Sequence, residues 1–141
     1  QISRIINPKL DVIRPASVTT SDQLKDHPVT MMFDTYKNTD WRASGQQPSA
    51  SVTFDHKFDL GALIVYSGAA DKFPTTRRPA KLMLTFSDGS STTFDLQDVN
   101  TAQTIKVEKN GIDSFVLTVV ATNGPADQPV VISEIEVFAK G

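Results

Sequence analysis

From Ser51 the chain alternates. Val52, Phe54, His56 and Phe58 fall on one parity, and Ser51, Thr53, Asp55 and Lys57 on the other. A period of two predicts a half-buried strand, and places His56 among packed residues. Asp59 and Gly61 should break that strand, and Leu60 to Tyr66 reads as a second, more continuously apolar one, central in a sheet or buried on both faces. Leu82, Leu84 and Phe86 alternate, Ser87-Asp88-Gly89-Ser90 turns, and Phe94 and Leu96 alternate again. Asp-Gly between two alternating runs is a strong hairpin signal. Ile105 and Val107 predict a short strand, Phe115 to Val120 a longer one, and Val130 to Phe138 the last. In that last strand Ile132 and Phe138 share one parity while Ile135 and Val137 share the other. A one-residue bulge at Ser133 or Glu134 would turn both sets toward the core.

The first half is less periodic. Residues 1–15 read as a lead-in segment, part of which packs as an edge strand. Ile2, Ile5, Ile6, Leu10, Val12 and Ile13 are too apolar for a free tail, and Pro8 and Pro15 forbid a long element. Val18 among Ser and Thr suits a short strand. Pro28 is placed to start a helical turn whose packed face is Val29, Met31, Met32 and Phe33. The sum is an all-β chain, a β-sandwich jelly roll of about eight antiparallel strands, with one domain over residues 16–141.

Composition narrows the function. Fourteen basic and 16 acidic residues give a formal net charge of −2, which lacks the basic footprint of a nucleic-acid or anionic-membrane binder. No apolar run is long enough to insert directly into a bilayer as a helix. The absence of cysteine excludes disulfides, thiolate metal sites and cysteine nucleophiles. A chain opening on Gln1 reads as a piece excised from a longer polypeptide.

The densest chemistry lies between Met32 and Ser44. Asp34, Asn38, Thr39 and Asp40 put oxygen-bearing side chains into one loop, and Trp41, the one tryptophan, closes it. Such a loop either organises its own backbone or holds a hard cation. Trp41 reads as a packed anchor with its indole N–H bonded, not as a sugar-stacking platform. Phe33-Asp34, Thr39-x-Trp41 and Ser44 resemble the Phe-Asp-Gly-Asp-x-x-Thr-x-Trp loop of discoidin-like (coagulation factor 5/8 type C) and galactose-binding-like domains. Ile132-Ser133-Glu134-Ile135-Glu136-Val137-Phe138 is similar to their closing strand. Arg78-Pro79-Ala80-Lys81 through Ser90 looks most like the bacterial NADase-type glycan-binding domains. Thr35 and Tyr36 stand where the family has Gly and Asp.

The resemblance spans Ala16 to Phe138 and implies three things. The fold is galactose-binding-like. Asp34, Thr39 and Glu134 match positions that supply oxygens to a structural calcium ion. The chain is an extracellular or cell-envelope recognition module, secreted or membrane-anchored, that binds a glycan or cell-envelope polymer at one rim. The alternative partner is a protein, met by a sensor or interaction domain.

Ser67 to Pro79 is a long aperiodic stretch, and such loops are often functional. Tyr66, Asp71, Lys72, Phe73, Arg77 and Arg78, with Arg42 adjacent, make a candidate ligand surface of forks, a carboxylate and aromatic faces. The competing reading is a solvated loop whose arginines pair with Asp71 or Asp88. For catalysis, His27 and His56 are the only histidines, and no hydrolase, zinc or phosphate-loop motif is present. The sequence reads as non-catalytic.

Overall fold

The computed structural model describes residues 10–36, 38–69 and 73–140. Among them are eight strands: β1 (Leu10–Ile13), β2 (Ser17–Thr19), β3 (Trp41–Ala43), β4 (Ser49–Ser67), β5 (Arg78–Phe86), β6 (Ser91–Asp95), β7 (Gln103–Asn123) and β8 (Val130–Lys140). Every strand pair is antiparallel. The order is β1-β8-β4-β7-β5-β6, with β2 on β4 and β3 on β8. This is the expected β-sandwich. Leu60, Leu63 and Val65 of β4, Leu82 and Leu84 of β5, Leu117 and Val119 of β7, and Ile132 and Ile135 of β8 fill the space between its leaves.

Two expected breaks are absent. β4 is one strand of 19 residues, and β7 one of 21, where the sequence predicted two shorter strands each. The ladder between them slips between Thr53 and Phe58, between Phe58 and Leu60, and between Leu60 and Ala62, so the strands bend from one leaf into the other. Phe54 and Phe58 stay inside, edge to face at 4.8 Å between ring centroids, with Phe115 5.8 Å from Phe54. Asp59 stitches the strands together: its Oδ1 accepts the Gly111 N–H at 2.8 Å, where Gly111 has φ +65°. Gly61 allows a close approach: a Cβ there would lie 2.7 Å from Leu10 Cδ2 and 2.9 Å from Lys140 Cγ, and those side chains would have to shift.

His56 corrects the parity argument. Its side chain is 62% exposed on the outside of the bend, with Nδ1 2.5 Å from Asp55 Oδ1. Local alternation placed it with Phe54 and Phe58, but the slipped register turns it out.

Most of the other expected features are present. Val29–Phe33 forms a short 3-10 helix after Pro28, burying Val29 and Met32. Asp88-Gly89 turns β5 into β6, with Gly89 at φ +88°. In β8, Glu134 faces Tyr66 and Ile132 faces Ser67, so Ser133 is the extra residue of a bulge. Its hydroxyl donates to Gly68 O, and Val130 through Ile135 are all buried. The bulge brings Ile132, Ile135 and Val137 into the core, but Phe138 falls on the opposite face and is only half-buried, so one of the four expected residues is not turned inward.

Candidate functional site

The bulge and the start of β8 organise one rim of the sandwich. Gly68 N donates to Val131 O at 2.8 Å, and Val131 N donates to Arg77 O at 2.9 Å. On the other edge of β8, Arg42 of β3 stands opposite Val131. The loops before β3, after β3, between β4 and β5, and between β7 and β8 therefore meet around Val130 and Val131.

Trp41 is fully buried, and its Nε1 donates to Asp22 O at 2.9 Å, as an anchor should. Asp22 also takes the Ser44 N–H on Oδ1 at 3.1 Å and the Gly45 N–H on Oδ2 at 2.8 Å. The flanking residues of Trp41 form a cluster. Asp40 is buried and accepts from Arg42 Nε at 2.8 Å and Arg42 Nη2 at 3.3 Å. Its Oδ1 is also 2.7 Å from His27 Nδ1. Arg42 and His27 keep about a third of their side chains exposed.

Of the three arginines in the predicted surface, Arg42 alone has a side chain that is not buried. Arg77 is 2% exposed and donates from Nη1 to Gln128 O at 2.9 Å and from Nη2 to Gly45 O. Arg78 is buried too. Its Nε and Nη2 form a bidentate pair with Asp98, at 2.9 and 2.7 Å, and its Nη1 donates to Thr76 O at 2.8 Å. The guanidinium lies 4.9 Å from the Phe73 ring centroid. Neither arginine pairs with Asp88, which instead accepts from Lys109 Nζ at 2.7 Å. These forks hold loops and do not reach outward, because main-chain carbonyls deprived of water need donors. Tyr66 is half-buried on β4 opposite Glu134. Asp71 and Lys72 lie outside the described residues.

Asp34, Thr39 and Glu134 come together at the next loop. Asp34 Oδ1 accepts the Tyr36 N–H at 2.9 Å, and Oδ2 accepts from Thr39 Oγ1 at 2.5 Å. Thr39 Oγ1 is 3.3 Å from Tyr36 O, and Glu134 Oε2 accepts the Thr35 N–H at 3.2 Å. Thr35 takes the left-handed φ of +70° that the family's glycine would favour. The donors are oxygens only, which fits a hard cation in kind. Among the described residues no group of three or more His, Asp or Glu side chains stands ready to hold a metal.

Asp22, His27, Asp40, Gly45, Asp98 and Gln128 were missed as site residues. Asp40 and Arg42 carried a local signal, since residues two apart on a strand share a face and flank a core tryptophan. The others are joined only by long-range contacts.

No family model matches the sequence, and a search of curated proteins gives no match. Solved structures do match. A factor 5/8 type C domain from Bacteroides fragilis superposes with a TM-score of 0.75 at 12% identity, covering 94% of this chain and 97% of its own. The family 32 carbohydrate-binding module of NanJ from Clostridium perfringens, solved with galactose, gives 0.71 at 14% identity over 92% and 98%. A fucose-binding module from Streptococcus pneumoniae gives 0.65 at 13% identity over 92% and 96%. At such identities the fold is what is shared: this chain has the discoidin-like, galactose-binding-like β-sandwich fold.

Proposed function

We propose that the chain is a non-catalytic recognition module that binds a glycan or cell-envelope polymer at this rim, on the outer side of the cell. The observation that carries the reading is the His27–Asp40–Arg42 cluster. A buried carboxylate holds the arginine on its Nε and Nη2 edge, and Nη1 makes no hydrogen bond among the described residues. His27 Nδ1 lies on the same carboxylate at 2.7 Å, so the imidazole is held at this cluster too. A guanidinium and an imidazole held on one buried carboxylate, each about a third exposed, are polar groups of the kind that bond sugar hydroxyls. Support also comes from solved modules of this fold, one of them in complex with galactose. Affinity should be weak, about millimolar to micromolar. The test is titration of the protein with galactose, fucose and envelope polysaccharides, with Arg42→Ala beside it. Loss of binding in Arg42→Ala is expected. Blank titrations at high loading, or binding untouched by Arg42→Ala, would sink the reading.

A protein partner is the second reading. It is favoured by Val12, exposed on β1, whose cross-strand row continues through half-buried Phe138 of β8 to buried Ala62 of β4.

The reading extends to a structural calcium ion held by Asp34, Thr39, Glu134 and neighbouring oxygens. Calcium should then raise the unfolding midpoint in wild type and not in Asp34→Ala. Equal midpoints with calcium and with EDTA would remove the ion from the account.

A further inference from the structure

We propose that Asp22 and Arg77 form one clamp on Gly45 that fixes the spacing of the rim loops, and that both are positioning residues for the ligand site. The inference rests on the rim reading above for what is positioned, but the clamp itself is a matter of geometry. Gly45 is gripped at both ends. Asp22 Oδ2 accepts its N–H at 2.8 Å, and Arg77 Nη2 donates to its C=O. The grip continues outward on each side. Asp22 takes Trp41 Nε1 on its main-chain oxygen, and Arg77 donates from Nη1 to Gln128 O at 2.9 Å. Trp41, Asp22, Gly45, Arg77 and Gln128 thus form one unbroken path through four loops.

Charge makes Arg77 notable. It is nearly fully buried, yet none of the ion pairs among the described residues includes it. Its Nε is also buried without a hydrogen-bond partner among the described residues. A guanidinium so placed is costly, and an apolar side chain would often serve stability better. What an apolar side chain cannot do is bond two carbonyls that come from different loops. A planar fork can, and a lysine ammonium is a poorer match to both directions at once. Asp22, on the far side of Gly45, supplies the negative charge across one residue instead of in contact. Glycine fits between them without displacing the clamp, since a Cβ would lie 2.6 Å from Asp22 Oδ2 and push that carboxylate aside.

The test is Arg77→Lys, read by NMR and by sugar titration. Trp41 is the one tryptophan, so its indole N–H gives a single assigned signal. The Gly45 amide and the Trp41 indole signals should both move, and affinity for whichever of galactose or fucose the wild type binds should fall about tenfold or more while the protein stays folded. If both signals hold still, the clamp is not there. If they move but affinity stays, the clamp does not position the site. If the wild type binds no sugar, the rim reading fails separately, and the two signals still decide the clamp. Should Arg77→Lys not fold, Asp22→Asn loosens the other end. The Gln128 amide and Arg77 Nε–H signals must then shift for the proposal to stand.

Discussion

Gly45 and Gly89 both stand where glycine is favoured, for opposite reasons. Gly89 sits at φ +88° with open space where a Cβ would go, so Gly89→Ala should cost about 1–2 kcal/mol through backbone conformation alone. Asn tolerates that conformation, and Gly89→Asn should recover much of the loss in a denaturant titration. Gly45 lacks the left-handed conformation, but its Cβ would strike a carboxylate already held by two N–H groups. Gly45→Ala should cost about 1–3 kcal/mol, the range for overpacking. The two effects separate in a double-mutant cycle. Asp22→Ser should absorb most of the Gly45→Ala penalty and none of the Gly89→Ala penalty. Strict additivity at Gly45 would show that the clash is not the cause.

At the scale of elements, two ion pairs join strands that the hairpin alone would leave loose. Lys109 of β7 reaches the Asp88 turn and lies 5.6 Å from the Phe86 ring centroid, while Arg78 at the start of β5 holds Asp98 beyond β6. The hydrogen bond from Lys109, then those from Ser90, push the Asp88 carboxyl well below the usual carboxylate range. The Arg78 hydrogen bond lowers Asp98 against a smaller opposing effect of burial. Both groups therefore bind protons less readily when folded. Their stabilisation is complete above the ordinary aspartate value, about 3.9, and is lost as pH falls through the lower folded values. Thermal midpoints followed from about pH 7 down to pH 2 should stay level with respect to these groups and then drop. Asp98→Asn should flatten part of the drop, and an unchanged acid limb in that variant would count against the assignment.

At the scale of the molecule, β4 and β7 run through both leaves, so neither leaf has a boundary at which it can open alone. Unfolding should be a single transition, with Trp41 fluorescence and far-ultraviolet circular dichroism tracing the same curve. Two separated curves would mean that the bends at Phe58 and Gly61 act as hinges between independent units. The same continuity explains what could be read in advance. Alternation and turn chemistry are local, so the strands, the Asp88-Gly89 hairpin, the 3-10 helix at Pro28, the β8 bulge and the buried Trp41 were legible from neighbouring residues. The length of β4 and β7 was not, because Asp59 and Gly61 look like breakers until Gly111, Leu10 and Lys140 arrive to meet them. Nor was the exposure of His56. The site divides in the same way. The oxygens of the Asp34–Thr39 loop and the Asp40–Arg42 pair lie within a few residues of each other. Whether an arginine faces solvent or holds a carbonyl depends on which loop is brought to it from far along the chain. By itself the sequence determined the fold class and the residue types available for recognition. Only the tertiary structure decided that Arg42 looks outward while Arg77 and Arg78 turn inward, since buried carbonyls of distant loops had to find donors and these two supply them.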